Sequence, residues 1–255
     1  MKIETHCHIE GSPDSLVSSL NLINVLKSKG YDGAIITDHN SYKGYDLAKE
    51  FSDESFTIFK GIEYDTSDAG HMLIILPNES SNIFNHKGMN VKDVIKIVHK
   101  LGGIIGPAHP FDYYKLGIFN NTKWLKTLDI IKEFDFIEGF NSCGSMIGNH
   151  KASLVAKLYN KPIFAGSDSH RKESIGLAHT KLPKFAKDNN ELIALVKRME
   201  YGDTVTEGEY FTGTSKDKFG IIYSYAIRIF YGIRFVTNKI SKRKAYKLAL
   251  ILGII

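Results

Sequence analysis

Close to its start the chain reads Thr5-His6-Cys7-His8, at the end of a short apolar run. Four more histidine or acid clusters follow, each beside another strand-like run. They are Thr37-Asp38-His39-Asn40, Gly61-Ile62-Glu63 with His71 soon after, Ala108-His109-Pro110 and Ser167-Asp168-Ser169-His170. Imidazole and carboxylate are the ligands that Zn, Mn or Fe takes in hydrolases. Alternate residues of a strand share a face, so His6 and His8 can grip one ion while Cys7 points away. Glu63 and Asp168 are short anions able to bridge two cations. In two-metal sites the ions lie about 3.5–4 Å apart and clamp the attacking and leaving oxygens of an in-line displacement. A hydroxide made by such ions at neutral pH is the expected nucleophile. Ligand spacing alone equally allows an amide or ester hydrolase.

A lone histidine is more often a hydrogen-bonded core residue than a ligand. His86, His99, His150 and His179 read that way, and His99 sits inside a helical run after Val98. The other six (His6, His8, His39, His71, His109 and His170) each need an element to deliver them. Apolar runs at 3–5, 33–37, 57–63, 71–76, 104–108, 136–140 and 162–165 read as strands. Helical spacing covers 15–29, 42–51, 91–101, 124–133, 149–159 and 192–200. Strands 57–63 and 71–76 flank a segment rich in Asp, Ser and Gly and read as a hairpin. Strands alternating with helices imply a mostly parallel sheet under helical cover. Seven such strands suggest an α/β fold of the TIM-like kind, a distorted seven-stranded β/α barrel. Chemistry then belongs at the C-terminal strand ends, where His6, His39, Glu63, His109 and Asp168 fall. His71 begins its strand, so an antiparallel return from Glu63 would bring it to the same rim.

The chain of 255 residues suits one large α/β domain or a domain of about 200 residues with an appendage. Residues 216–255 hold nine Lys and Arg against one acid, Asp217, a net +8. The whole chain carries +5, so the remainder is at −3. The expected division is a barrel over 1–205 and a basic, apolar helical extension over 206–255. Two cysteines give no disulfide framework, and no leader or run of 18 apolar residues is visible, so a cytoplasmic setting is expected.

In the order and type of these motifs the chain resembles the polymerase and histidinol phosphatase (PHP) family of metal-dependent phosphoesterases. The likeness covers roughly residues 1–200. It implies a distorted seven-stranded barrel holding two or three divalent ions. His6, His8, Glu63 and Asp168 would hold the first ion and act in catalysis through the bound metals. Glu63 would bridge to a second, completed by His71 and His109. A third would sit on His39, His170 and Asp14, where some members carry histidine and others an acid. Asp14 has a second reading as a helix N-cap. Asp38 is expected behind the ligands, orienting His39 or its neighbours.

Substrate contacts are read from position alone. Arg171 could hold a phosphate bidentately or be a solvated charge. Asn141 and Ser142 end a strand and could face the pocket, and Tyr113 and Tyr114 could form an aromatic wall. The implied partner is a small phosphorylated substrate. Rival readings are a nuclease or phosphodiesterase, a protein-tyrosine phosphatase, and a non-catalytic domain stabilised by metal. The extension, with Ile222, Ala226, Ile229, Ile233 and Val236 at helical spacing and Lys242-Arg243-Lys244 after them, has three. It could pack on the barrel or on a second subunit, lie on a membrane surface, or touch nucleic acid.

Overall fold

The computed structural model describes residues 1–80, 82–112 and 115–213. Residues 214–255 of the expected extension, and the aromatic wall at Tyr113 and Tyr114, fall outside these. Nine strands and six α-helices alternate along the described chain: β1 (Lys2–Cys7), α1 (Ser19–Ser28), β2 (Gly33–Ile36), α2 (Lys43–Ala48), β3 (Thr57–Asp65), β4 (His71–Ile75), α3 (Val91–Lys100), β5 (Ile104–Pro107), α4 (Thr122–Lys126), β6 (Ile137–Asn141), α5 (Met146–Leu158), β7 (Ile163–Gly166), β8 (Ala178–Lys181), α6 (Asn189–Val196) and β9 (Val205–Gly208).

Seven strands form one curled sheet in the order β5-β4-β3-β2-β1-β8-β9, and β6 and β7 pair beside it. β1, β2 and β3 run parallel, whereas β4 is antiparallel to both β3 and β5. Two seams almost close the ring of β1 to β7. Asp135 N donates to Ile105 O at 2.9 Å across β5 and β6. Asp168 N donates to His6 O at 2.7 Å, and His8 N to Ser169 O at 3.0 Å, across β7 and β1. The result is the expected distorted α/β barrel. At the second seam Gly166 is required, because a Cβ there would lie 2.3 Å from the His6 Cβ.

The interior explains the strand sequences. Ile3, Ile35, Phe59, Leu73, Ile75, Ile104, Phe136 and Phe164 form one buried cluster, a filled core with no room for a pore. Leu192, Ile193 and Val196 of α6 belong to it as well. Asn189 donates to Leu76 O, just past the end of β4, so α6 closes the end remote from His71. On the outside, α3 buries Val91, Val94, Ile95 and Val98, the i, i+3, i+4, i+7 stripe of a helix lying on a sheet. His99 bonds Asp135 at 3.0 Å and is structural, as its position inside the helix suggested.

The structure corrects several expectations. α1 begins at Ser19, four residues late. Ser18 is its N-cap, and the Glu10 carboxylate accepts from Ser19 N at 2.6 Å. Leu16, counted in the helical stripe, lies outside the helix and is 71% exposed. The helix expected over 124–133 breaks at Thr127 into α4 and a 3-10 turn, Leu128–Glu133. β8 and β9 were not anticipated. They pair antiparallel at the sheet edge, so the boundary expected after 205 falls inside β9. β9 reads Val-Thr-Glu-Gly and is largely exposed, so it lacks the apolar run that marks a core strand. Among the described residues no helix is long and apolar enough to cross a membrane.

Candidate metal centre

Every residue expected as a ligand arrives at one rim. His6 and His8 sit at and just beyond the end of β1, His39 follows β2, and Glu63 lies on β3. The β3–β4 hairpin pairs Asp65 with His71, so the antiparallel return brings His71 beside Glu63. His109 follows β5, and Asp168 and His170 follow β7. His109 has φ 31° and Asp168 φ 52°, the left-handed region that side chains with a Cβ avoid. Such conformations persist where the surroundings impose them, commonly at functional sites.

Glu63 stands at the centre. Its Oε2 lies 3.2 Å from His6 Nε2, 3.1 Å from His8 Nε2 and 3.3 Å from His39 Nδ1. Its Oε1 lies 3.0 Å from His71 Nδ1 and 3.1 Å from His109 Nε2. Asp168 Oδ1 adds an anion 3.3 Å from His8 Nε2 and 3.7 Å from His6 Nε2. Asp14 is drawn in by its other neighbours: its Oδ2 lies 3.2 Å from His170 Nε2 and 3.8 Å from His39 Nε2. Its alternative reading as a helix cap fails, because Ser18 does that work.

Tautomers decide what this crowd means. His6 Nδ1 lies 2.8 Å from the Glu138 carboxylate, which can only accept. His8 Nδ1 lies 3.1 Å from Ser12 Oγ, which also accepts from His39 N at 2.8 Å. His6 Nδ1 therefore carries a hydrogen, and the Nε2 atoms of His6 and His8 face each other at 3.1 Å. Two carboxylate oxygens face the same point. Four such atoms in one pocket repel unless a cation or a proton sits among them. In the metal-free protein a proton takes that part. Burial works against a charged imidazole, but Glu138, Glu63 and Asp168 hold the His6 pKa well above its usual value. Burial likewise opposes His39, and Glu63, Asp65 and Asp14 raise it to about 10. Glu63 is held well below the carboxylate range against its burial, by His39, His6 and His71. The donor set thus fits hard or borderline divalent ions. His6-His8-Glu63, Glu63-His71-His109 and His8-His39-His170 each offer donor atoms lying within 4.8 Å of one another.

The first two triads fall within the ligand sets the resemblance implied, the first without Asp168; the third has His8 where Asp14 was expected, and a fourth, His39-Asp65-His71, was not expected. Comparison with known proteins agrees with the fold. Residues 147–200 match a family model described as PHP-associated. An uncharacterized protein of Methanocaldococcus jannaschii, MJ1587, is 30% identical over a match covering 44% of this chain and 68% of that one. Among solved structures, PsfC from Pseudomonas syringae superposes with a TM-score of 0.61 at 15% identity, over 89% of this chain and 97% of that one. A two-domain Bacteroides vulgatus protein containing a predicted PHP-like metal-dependent phosphoesterase gives 0.59 at 18% identity, over 82% and 65%. The fold of this chain is that of PHP-like proteins.

Behind the candidate ligands the chain carries a supporting layer that the sequence reading only partly found. Asp38 was expected there. Its Oδ1 accepts from Ile9 N at 2.8 Å. Burial raises its pKa to about 7. Gly44 packs so closely that a Cβ there would lie 1.7 Å from Asp38 Oδ2. Glu138 was missed. It takes His6 Nδ1–H on one oxygen and His109 N–H, at 2.5 Å, on the other. The available signal was a single acid in the apolar run Phe136–Phe140, in step with Phe136 of the core. Asp65 was read as turn, yet its carboxylate lies 3.6 Å from His39 and 3.4 Å from His71. It sits two residues after Glu63 on the same face of β3, which was the overlooked clue. Asn141 is buried and donates to Glu138 and, at 3.2 Å, to Asp168, so its amide braces two carboxylates. Arg171 follows His170 at the rim and is half-buried.

Glu138 gives a direct test. Glu138→Gln keeps the shape but weakens the hold on the His6 tautomer. Loss of such an orienting carboxylate is expected to lower metal affinity or kcat by about 10–100-fold. Metal titration beside steady-state kinetics measures it; unchanged values would show that His6 needs no orienting partner.

Proposed function

We propose that this chain is a metal-dependent phosphoesterase acting on small phosphomonoesters. The observation that supports it most is the convergence of His6 Nε2 and His8 Nε2 on Glu63 and Asp168 in a fully buried pocket. The proposed holders are His6, His8, Glu63 and Asp168 for one ion, Glu63, His71 and His109 for a second, and His39, His170 and Asp14 for a third. Zn, Mn and Fe all suit them. Bound there, divalent ions supply Lewis-acid polarisation of a phosphoryl oxygen and ease the deprotonation of water.

The chain's own residues do the rest. Glu138 holds the His6 Nδ1 proton outward and Ser12 fixes the His8 ring from behind, so both Nε2 atoms are turned to the site without rearrangement. Glu63 spreads one negative charge between two sub-sites through its separate oxygens. The rigid strand ends hold these groups before substrate arrives, which is where electrostatic catalysis gains its advantage. The net −3 outside the basic tail favours a small ester over a long polyanion.

Metal analysis of the purified protein, paired with phosphate release from sugar, amino-acid and nucleotide monoesters, tests the reading. At least two ions per chain and release from some monoester are expected. Fewer than two ions and no release with any divalent metal would sink it.

A further inference from the structure

Among the described residues the rim carries one ammonium group inside its ring of histidines and acids, and the sequence reading did not use it. Lys115 Nζ donates to Asp168 Oδ2 and lies 3.4 Å from Asn141 Oδ1. Its side chain is only 12% exposed. Burying a lysine costs free energy that a partner must offset, and the strong partner here is Asp168. The two oxygens of Asp168 are thereby divided. Oδ1 faces the His6 and His8 nitrogens, and Oδ2 faces Lys115 and the Asn141 amide.

The turn that carries Lys115 is built, not draped. It leaves directly from His109-Pro110, and Phe119 N returns to Pro110 O at 3.0 Å. Leu116 adopts φ 58°, and Gly117 is pressed so close that a Cβ would lie 2.5 Å from His109 O. An ammonium has three N–H donors, and among the described residues Asp168 and Asn141 take two. With divalent ions on the far side of Asp168, an ammonium at this place is repelled by them unless an anion lies between. Asp168 alone does not balance that charge; a phosphate dianion does.

We infer that Lys115 anchors the phosphoryl group of the substrate, using its third N–H while Asp168 and Asn141 hold it in place. This rests on the phosphoesterase reading for the substrate, and on the geometry alone for the anion. The ligand class is a phosphate monoester dianion or inorganic phosphate.

The test uses the full, metal-loaded chain and inorganic phosphate as probe. In calorimetric titration Lys115→Met is expected to weaken phosphate binding about 10- to 100-fold, the scale of a charge-assisted hydrogen bond. KM for an active monoester rises with it more than kcat falls. Metal content by elemental analysis stays at the wild-type value, and Lys115→Arg recovers most of the affinity. Lys115→Gln, which keeps hydrogen bonding without charge, gives the same answer should the methionine variant fold poorly. Phosphate affinity within about twofold of wild type in the variants would overturn the inference. So would loss of metal in step with loss of phosphate binding, because Lys115 would then only support Asp168. If the wild type releases phosphate from no ester yet binds phosphate through Lys115, the phosphoesterase reading fails and this inference stands.

Discussion

Glu63→Gln is expected to lower phosphate-ester turnover by at least about 10³-fold, the largest effect of any single substitution at the rim. The reason is arithmetic of contacts. One carboxylate oxygen lies within 3.3 Å of His6, His8 and His39, and the other within 3.1 Å of His71 and His109. A glutamine keeps the volume and one acceptor but offers an N–H where a lone pair is needed, and it removes the charge that two adjacent cations would share. Metal content should drop below that of the wild type in the same preparation. The backbone should survive, because Glu63 N bonds Thr37 O and its own carbonyl holds Asn40 N. Far-ultraviolet circular dichroism with elemental analysis separates the two. Turnover within tenfold of wild type at full metal content would remove Glu63 from the centre of the chemistry.

The second large effect is an opposite response of metal-free and metal-loaded protein to pH. In the metal-free protein His39 has its pKa raised to about 10. A raised folded-state pKa contributes stability that is complete below about pH 6.5 and is lost as pH climbs through 10. Glu4 and Asp38, raised to about 7 by burial, act in the same sense at lower pH: their contribution is complete below about pH 4 and fades through 7. Glu63 and Asp168, both depressed, contribute above the ordinary carboxylate range and lose it on acidification. The metal-free protein is therefore most stable near pH 4, weakens through 7 as Glu4 and Asp38 ionise, and weakens further toward 10 as His39 loses its proton.

Metal reverses this, because the same imidazoles bind ions only when neutral, so affinity climbs with pH. At a ligand concentration of 100 Kd the ion stabilises by about 2.7 kcal/mol. That is about 5–10 °C in Tm for a chain of this size. Thermal unfolding with chelator and with excess divalent metal at pH 6, 7.5 and 9 should show a gap that widens at each step. A gap of constant size would mean that protons and ions do not compete for these nitrogens.

The legible parts of the molecule were those with local signatures. The seven barrel strands show as apolar runs because both of their faces are buried, and α3 shows as a stripe because one of its faces is. β8 and β9 escaped for the opposite reason: β9 is the sheet edge and β8 lies just inside it, both are short, and their residues are mostly polar and partly exposed, so no pattern marks them. α1 was drawn too long because Leu16 has helical spacing, while the cap that decides the start involves Glu10, nine residues before the Ser19 it bonds.

At the rim the same division holds. Histidine and acid types at strand ends are a local property, so the candidate ligands could be named from sequence and order alone. That they share one point is a property of the curled sheet, which brings β7 to within a hydrogen bond of β1 and returns β4 against β3. The sequence by itself determined the kind of chemistry on offer, through residue types that have few other reasons to recur at strand ends. The tertiary structure decided which nitrogens face the shared point. It did so through partners that no spacing reveals: Glu138 lies 132 residues from the His6 ring it orients, and Lys115 lies 53 from the Asp168 it holds. A proton's position on an imidazole depends on the atom facing its other side, and only folding puts that atom there.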